Sequence, residues 1–123
     1  MDVVSTRRDE LLHVITVRGE IDLATAGDLL LRLMLLVGSA TGAIVLDLSR
    51  VTFIDCTGLR TLLAVNRHAC TSGGSVQVAA ASPAVARLFE LVGLHAESAD
   101  VFALPDLVAA LDGGVGVWPM AAV

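Results

Sequence analysis

Between Leu11 and Arg18 the side chains alternate, Leu11, His13, Ile15 and Val17 against Leu12, Val14, Thr16 and Arg18, which is the period of a strand with one more apolar face. A shorter strand near Val3 to Arg7 is placed to pair with it as a hairpin. The segment GEID (19–22) ends the strand, and Asp22 is positioned to cap a helix from about Leu23 to Val37 that Gly38 stops. The run AIVLDL (43–48) does not alternate, as expected of a central strand covered on one face and shielded on the other. FIDCTGL (53–59) then hands over to a helix of about 57–71. That helix carries Leu59, Leu62, Leu63, Asn66 and Cys70 on one face and Arg60, Ala64 and Arg67 on another, with Gly73-Gly74 at its end.

Further on, SVQVAAA (75–81) reads as a strand, and SPAVARLFELVGL (82–94) as a helix with Ser82 as cap, Pro83 in its first position and Gly93 as its stop. A short strand near Asp100 to Leu104 and a last helix from Pro105 to about Leu111 complete the pattern. The order predicts an α/β fold in one domain, residues 1–112. Its mixed sheet has about five strands, with about four helices packed on it. Residues 113–123 form an apolar tail expected to be mobile or docked on a partner.

Composition narrows the chemistry. Of the 123 residues 55% are apolar and only 3% aromatic, so the core must be built from Leu, Val, Ile and Ala. The net charge is -5, and all eight basic residues are dispersed arginines apart from the pair Arg7-Arg8, which leaves no basic stripe for nucleic acid. The N-terminus lacks the features of a signal peptide, and the longest oily stretch, Leu29 to Val37, is short and contains Arg32. The expectation is a cytoplasmic protein without membrane contact. The run LLLRLMLL (29–36) fits core packing under the sheet, and its excess oiliness could instead serve a weak homodimer. Cys56 and Cys70 match no zinc spacing. If both sit on one helix, their 14-residue separation is roughly 21 Å, beyond the ~7 Å that a disulfide allows between Cα atoms.

Three stretches occur in order: RGEIDLATA (18–26), IVLDLSRVTFIDCTGLRTLL (44–63) and SPAVARLFELVGL (82–94). Together they resemble the STAS domain family, in particular the bacterial anti-sigma factor antagonists, over about residues 3–112. The most specific part is the strand-to-helix junction, where the family usually reads Asp-Ser-Ser-Gly-Leu or Asp-Ser-Thr-Gly-Leu. The resemblance implies a binding module and not an enzyme, with no cofactor. Its partner would be an anti-sigma factor with Ser/Thr kinase activity, bound by the unphosphorylated form so that a sigma factor is freed. Phosphorylation would fall at Thr57. Partner contacts would come from Asp22, Asp55, Cys56, Thr57, Gly58 and Arg60, with Asp22 and Asp55 at the same end of the sheet. Two positions depart from the family pattern: Cys56 stands where Ser is usual, which leaves Thr57 as the motif's one hydroxyl, and Arg60 replaces a commonly small residue.

The residues themselves admit plainer roles. A hydroxyl at a helix start lies near unpaired backbone N–H groups and the positive end of the helix dipole, which suits a phosphate. On spacing alone, however, Asp55 and Thr57 fit ordinary helix caps better, and it is the family resemblance that favours the functional reading. Gly58, lacking a side chain, would let a partner backbone approach Thr57. Cys56 reads as an inert small residue, Cys70 as core, and His13 and His95 as surface or strand-edge residues. A thiol enzyme pairing Cys56 with His68 is set aside, since twelve helical residues separate them by about 18 Å. The functional alternative is a STAS subunit with a constitutive assembly role, as in a lipid-transport ABC system.

Overall fold

The computed structural model describes residues 1–7, 12–38, 43–94 and 102–104. Its elements are β1 (Asp2–Arg7), β2 (Leu12–Ile21), α1 (Ala26–Gly38), β3 (Ala43–Ile54), α2 (Cys56–Thr71), β4 (Ser75–Ala79), α3 (Pro83–Leu91) and β5 (Phe102–Ala103). The five strands form one sheet in the order β1-β2-β3-β4-β5. β1 runs antiparallel to β2, β2 to β4 are mutually parallel, and β5 returns antiparallel to β4. The fold class predicted from the sequence is therefore observed. Three helices fall among the described residues; the expected fourth, at 105–111, lies outside them, as do His95 and the tail 113–123.

One face of the sheet is buried. The cross-strand pairs His13↔Ile44, Ile15↔Leu46, Leu46↔Val78 and Val78↔Phe102 align alternate residues into a continuous inner row. Ile15, Leu46 and Val78 are fully inaccessible to solvent. Leu29, Leu33 and Val37 of α1, Leu59 and Leu62 of α2, and Val85 and Phe89 of α3 join this row in a single apolar cluster. The apolar run in β3 does not have two equal faces: Ile44, Leu46 and Leu48 are buried, Val45 and Asp47 are half-buried, and Ala43 is exposed. Small or polar residues on the outer positions make that side tolerable to water.

Two register shifts separate β2 from β3. Thr16 pairs with Asp47 and Arg18 with Arg50; Gly19 pairs with Val51 and Glu20 with Phe53. Ser49 and Thr52 are the added residues by this count, and both are exposed. Such bulges bend a strand and increase its twist. Here they also keep Val51 and Ile54 on the inner face, where each is buried.

Local chemistry accounts for the helix ends. Ser82 Oγ accepts the Val85 amide at 3.3 Å, Pro83 opens α3, and Gly93 follows its end at φ +89°. Phe89 of this helix meets Phe102 edge-on, with centroids 4.9 Å apart, a geometry worth about 1 kcal/mol beyond burial. In α2 the buried stripe passes from Asn66 to Ala69, so Cys70 is exposed and not in the core as expected. The Asn66 side chain donates to Leu104 O at 2.9 Å and fastens α2 to the end of β5.

His13 also departs from expectation. Its parity puts it on the inner face with Ile15, where it is buried and its Nε2 bonds Ser5 Oγ. No described helix is long and apolar enough to cross a membrane.

Candidate functional site

The parallel strands β2 and β3 finish at the register pair Ile21↔Ile54. Asp22 and Asp55 are the next residues, so strand pairing alone brings the two acids to the same end of the sheet. The junctions are tied directly: the Asp55 amide donates to Ile21 O at 3.2 Å.

Asp22 does not cap a helix beginning at Leu23, as the sequence suggested. Its Oδ1 accepts the amides of Ala24 at 2.9 Å and Thr25 at 3.1 Å, which folds residues 22–25 into a turn and delays α1 to Ala26. Short polar side chains compete with the helix for nearby amides in this way. Thr25 closes the turn from the other side. Its hydroxyl donates to Glu20 O at 2.9 Å and accepts the Asp22 amide at 3.0 Å.

Asp55 takes the capping role that the plainer reading gave it. Its backbone is extended (φ -112°, ψ -176°), and Oδ1 accepts the Gly58 amide at 2.9 Å, satisfying one of the unpaired donors of the first turn. α2 starts at Cys56, one residue earlier than expected. Cys56 is half-buried with a free thiol, Thr57 is half-buried in the second helical position, and Arg60 is exposed one turn on. The Thr57 hydroxyl makes no hydrogen bond among the described residues. Its carbonyl accepts the hydroxyl of Thr61 at 3.1 Å, which holds the Thr57 backbone from the following turn.

Gly58 faces inward. It is buried, and a Cβ built on it would stand 2.7 Å from Ile21 Cγ2, 2.9 Å from Ile54 Cγ1 and 3.0 Å from Ile21 O. The missing side chain serves close packing of α2 on the ends of β2 and β3, not the outward approach of a partner that the sequence suggested. Of the six residues proposed for the site, Asp22, Asp55, Cys56, Thr57 and Gly58 therefore gather at the paired strand ends, and Arg60 borders them.

Sequence reasoning missed Thr25, Thr61 and Ile21, which position the others. The hydroxyls had a readable signal, since Thr25 lies three residues beyond Asp22 and Thr61 four beyond Thr57. Ile21 had none. Among the described residues no group of three His, Cys, Asp or Glu side chains is placed to hold a metal ion.

A mixed five-stranded sheet, with a hydroxyl-bearing helix start at the end of its parallel centre, is the arrangement of a STAS-type domain. The chain belongs to the STAS-domain family: the family described as "Mlab, STAS domain" matches residues 4–108. Its fold is similar to that of an anti-sigma factor antagonist from Mycobacterium paratuberculosis, with 27% identity, a TM-score of 0.65, and coverage of 96% of this chain and 85% of that one. It is also similar to the anti-sigma factor antagonist SpoIIAA in its unphosphorylated form (17% identity, TM-score 0.64, 94% of this chain and 100% of that one). The Bacillus cell fate determinant SpoIIAA in its phosphorylated form matches at 20% identity and a TM-score of 0.60, over 75% of this chain and 84% of that one. At those identities the two SpoIIAA structures speak for the fold alone.

Proposed function

We propose that this chain is an anti-sigma factor antagonist. Unphosphorylated, it binds an anti-sigma factor of the Ser/Thr kinase type and frees a sigma factor; phosphorylation of Thr57 ends the binding. The observation that carries this reading is the Thr57 hydroxyl. It is half-exposed and unengaged in the first turn of α2, on a backbone held by Asp55, Gly58 and Thr61. The 27% identity to the mycobacterial antagonist supports the same class.

A phosphate on Thr57 would add a charge of about -1.5 to -2 at the positive end of the helix dipole, where it is stabilised without unwinding α2. Its effect is felt outside. Asp22, Asp55, Cys56, Thr57 and Arg60 form the contact surface, with Gly58 setting the backbone behind them. A partner that buries this surface would have to desolvate the new charge beside two carboxylates. About 3 kcal/mol of lost binding corresponds to a roughly hundredfold weaker complex.

The test is capture of partners from native extract with wild-type, Thr57→Ala and Thr57→Glu proteins. A kinase-type anti-sigma factor is expected with wild type and Thr57→Ala and is lost with Thr57→Glu. If Thr57→Ala and Thr57→Glu capture it equally, the switch is refuted. Transporter subunits held equally by all three would assign the chain to constitutive assembly, as in a lipid-transport ABC system.

A further inference from the structure

Val3 and Ser5 of β1 pair with Val17 and Ile15, both fully buried, so they lie on the helix-covered face of the sheet. Together with Arg32, Leu35 and Leu36 of α1 they line a groove of about 280 Å³. Val3 and Leu36 pack against the core on its inner side, whereas Leu35 is 69% exposed. That leucine does little to hold α1 on the sheet, because the buried stripe of the helix is Ala26, Leu29, Leu33 and Val37.

The polar groups of the groove are donors. His13, on the same face, bonds Ser5 Oγ through Nε2, and its buried Nδ1 has no hydrogen-bond partner among the described residues. Orphaned buried N–H groups are rarer than under-satisfied acceptors, which puts the imidazole proton on Nε2, the nitrogen that has a partner. Ser5 Oγ is then the acceptor in that bond, and its own O–H is left to donate, with no acceptor for it among the described residues. Arg32 adds a guanidinium with five N–H donors, of which Asp28 Oδ2 engages Nε at 3.0 Å. Among the described lining residues there is no carboxylate or amide side chain.

Donors beside an aliphatic wall define their complement, an anionic acceptor on a hydrocarbon body. We propose that the groove binds a medium-chain carboxylate of the fatty-acid class. The carboxylate sits between Arg32 and the Ser5 hydroxyl, and the chain lies along Val3, Leu35 and Leu36. At roughly 30 Å³ for each water-sized group, the volume accepts about nine non-hydrogen atoms, close to a chain of about eight carbons. The charge of Asp28 beside Arg32 sets the preference among anions: it opposes a dianion such as a phosphate monoester more strongly than a monocarboxylate.

The groove lies away from the candidate switch. α1 begins just beyond the Asp22 turn, and Leu35 is nine residues past Ala26, about 14 Å along the helix axis. This inference goes beyond the functional assignment and does not depend on it.

Titration of the full chain with octanoate, followed by heteronuclear NMR, tests it. The amide signals of Val3, Ser5, Arg32, Leu35 and Leu36 are expected to shift together and to saturate with a Kd on the order of 1 mM. Arg32→Gln weakens binding by about tenfold, and Ser5→Ala weakens it by about threefold. Asp28→Asn, which removes the competing charge, tightens it. Leu35→Glu places a carboxylate in the groove and abolishes saturation, whereas Leu91→Glu, at a 71% exposed position of α3, leaves the Kd unchanged. Octan-1-ol, equal in length but uncharged, binds about tenfold more weakly than octanoate. Should Ser5→Ala disturb the fold by leaving His13 Nε2 unpaired, Arg32→Gln, at a half-exposed position, still decides the matter. Absence of saturable shifts up to ~10 mM octanoate, where even ~2.7 kcal/mol of binding would register, overturns the proposal. So does a Kd indifferent to Arg32→Gln and Leu35→Glu, or octan-1-ol binding as tightly as octanoate.

Discussion

Two helices start at the ends of neighbouring parallel strands, each after an aspartate and each with a glycine in its first turn, yet the two starts are built differently. At α1, Asp22 binds two amides within its own turn, Leu23 stands 79% exposed, and a Cβ on Gly27 would meet nothing within 4 Å. At α2, Asp55 holds the third residue of the helix, and Gly58 is pressed against Ile21 and Ile54. The first start is tied to its strand by the Thr25 hydroxyl on Glu20 O and leaves open space beside its glycine; the second is clamped to the sheet by close backbone packing. The proposed modification site sits on the clamped one. A charge added there has a rigid base, so its effect is expressed toward a partner and not spent in moving the helix.

The sharpest way to break this comparison is to place the same methyl group on both glycines. Gly58→Ala is expected to cost about 2 kcal/mol in urea denaturation, because Ile21 O cannot withdraw as a side chain can. Unchanged stability would mean that the clamp is not real. Asp55→Ala should cost about 1 kcal/mol by the same measurement, while Asp55→Asn stays within a few tenths of wild type if the hydrogen bond to Gly58, and not the charge, is what matters. An equal loss in both variants would point to the helix dipole instead. Thr61→Val, which removes the hydroxyl from the Thr57 carbonyl, should cost about 0.5–1 kcal/mol. Gly27→Ala is the smallest effect and the opposite in sign: a gain of about 0.5 kcal/mol in an unobstructed helical position, visible as a slightly raised Tm.

Much of this was legible in the chain, and what was not has a common cause. Ser82, Pro83 and Gly93 bracket α3 because capping depends on residues within a few positions of each other. Asp55 and Thr57 were placed at a helix start for the same reason. The start of α1 was misjudged because Asp22 and Thr25 satisfy one another in a turn, an alternative that the apolar periodicity does not register. Gly58 was read as an opening toward a partner because its real neighbour, Ile21, is far away in sequence and arrives only through the pairing of β2 with β3. Cys70 failed through phase, and His13 because its polarity was weighed above its place in the alternation. A 3.6-residue stripe selects Ala69 over its neighbour, and a polar ring on an inner strand position is buried by the parity of its strand.

The two added residues of β3 carry a consequence for how this domain can vary. Removing Ser49 and Thr52 on paper leaves the inward and outward alternation of β3 intact and every remaining strand pair unchanged. Neither residue is needed to pattern the core, and both face solvent. What they supply is contour length, which sets the local coiling of the strand and hence the direction in which α2 departs from the sheet. Variation at these sites should accordingly obey an unusual rule: many side chains accepted, no change in number tolerated. A one-residue deletion there would re-aim the helix that carries Thr57 while every residue of the proposed contact surface stayed in the sequence.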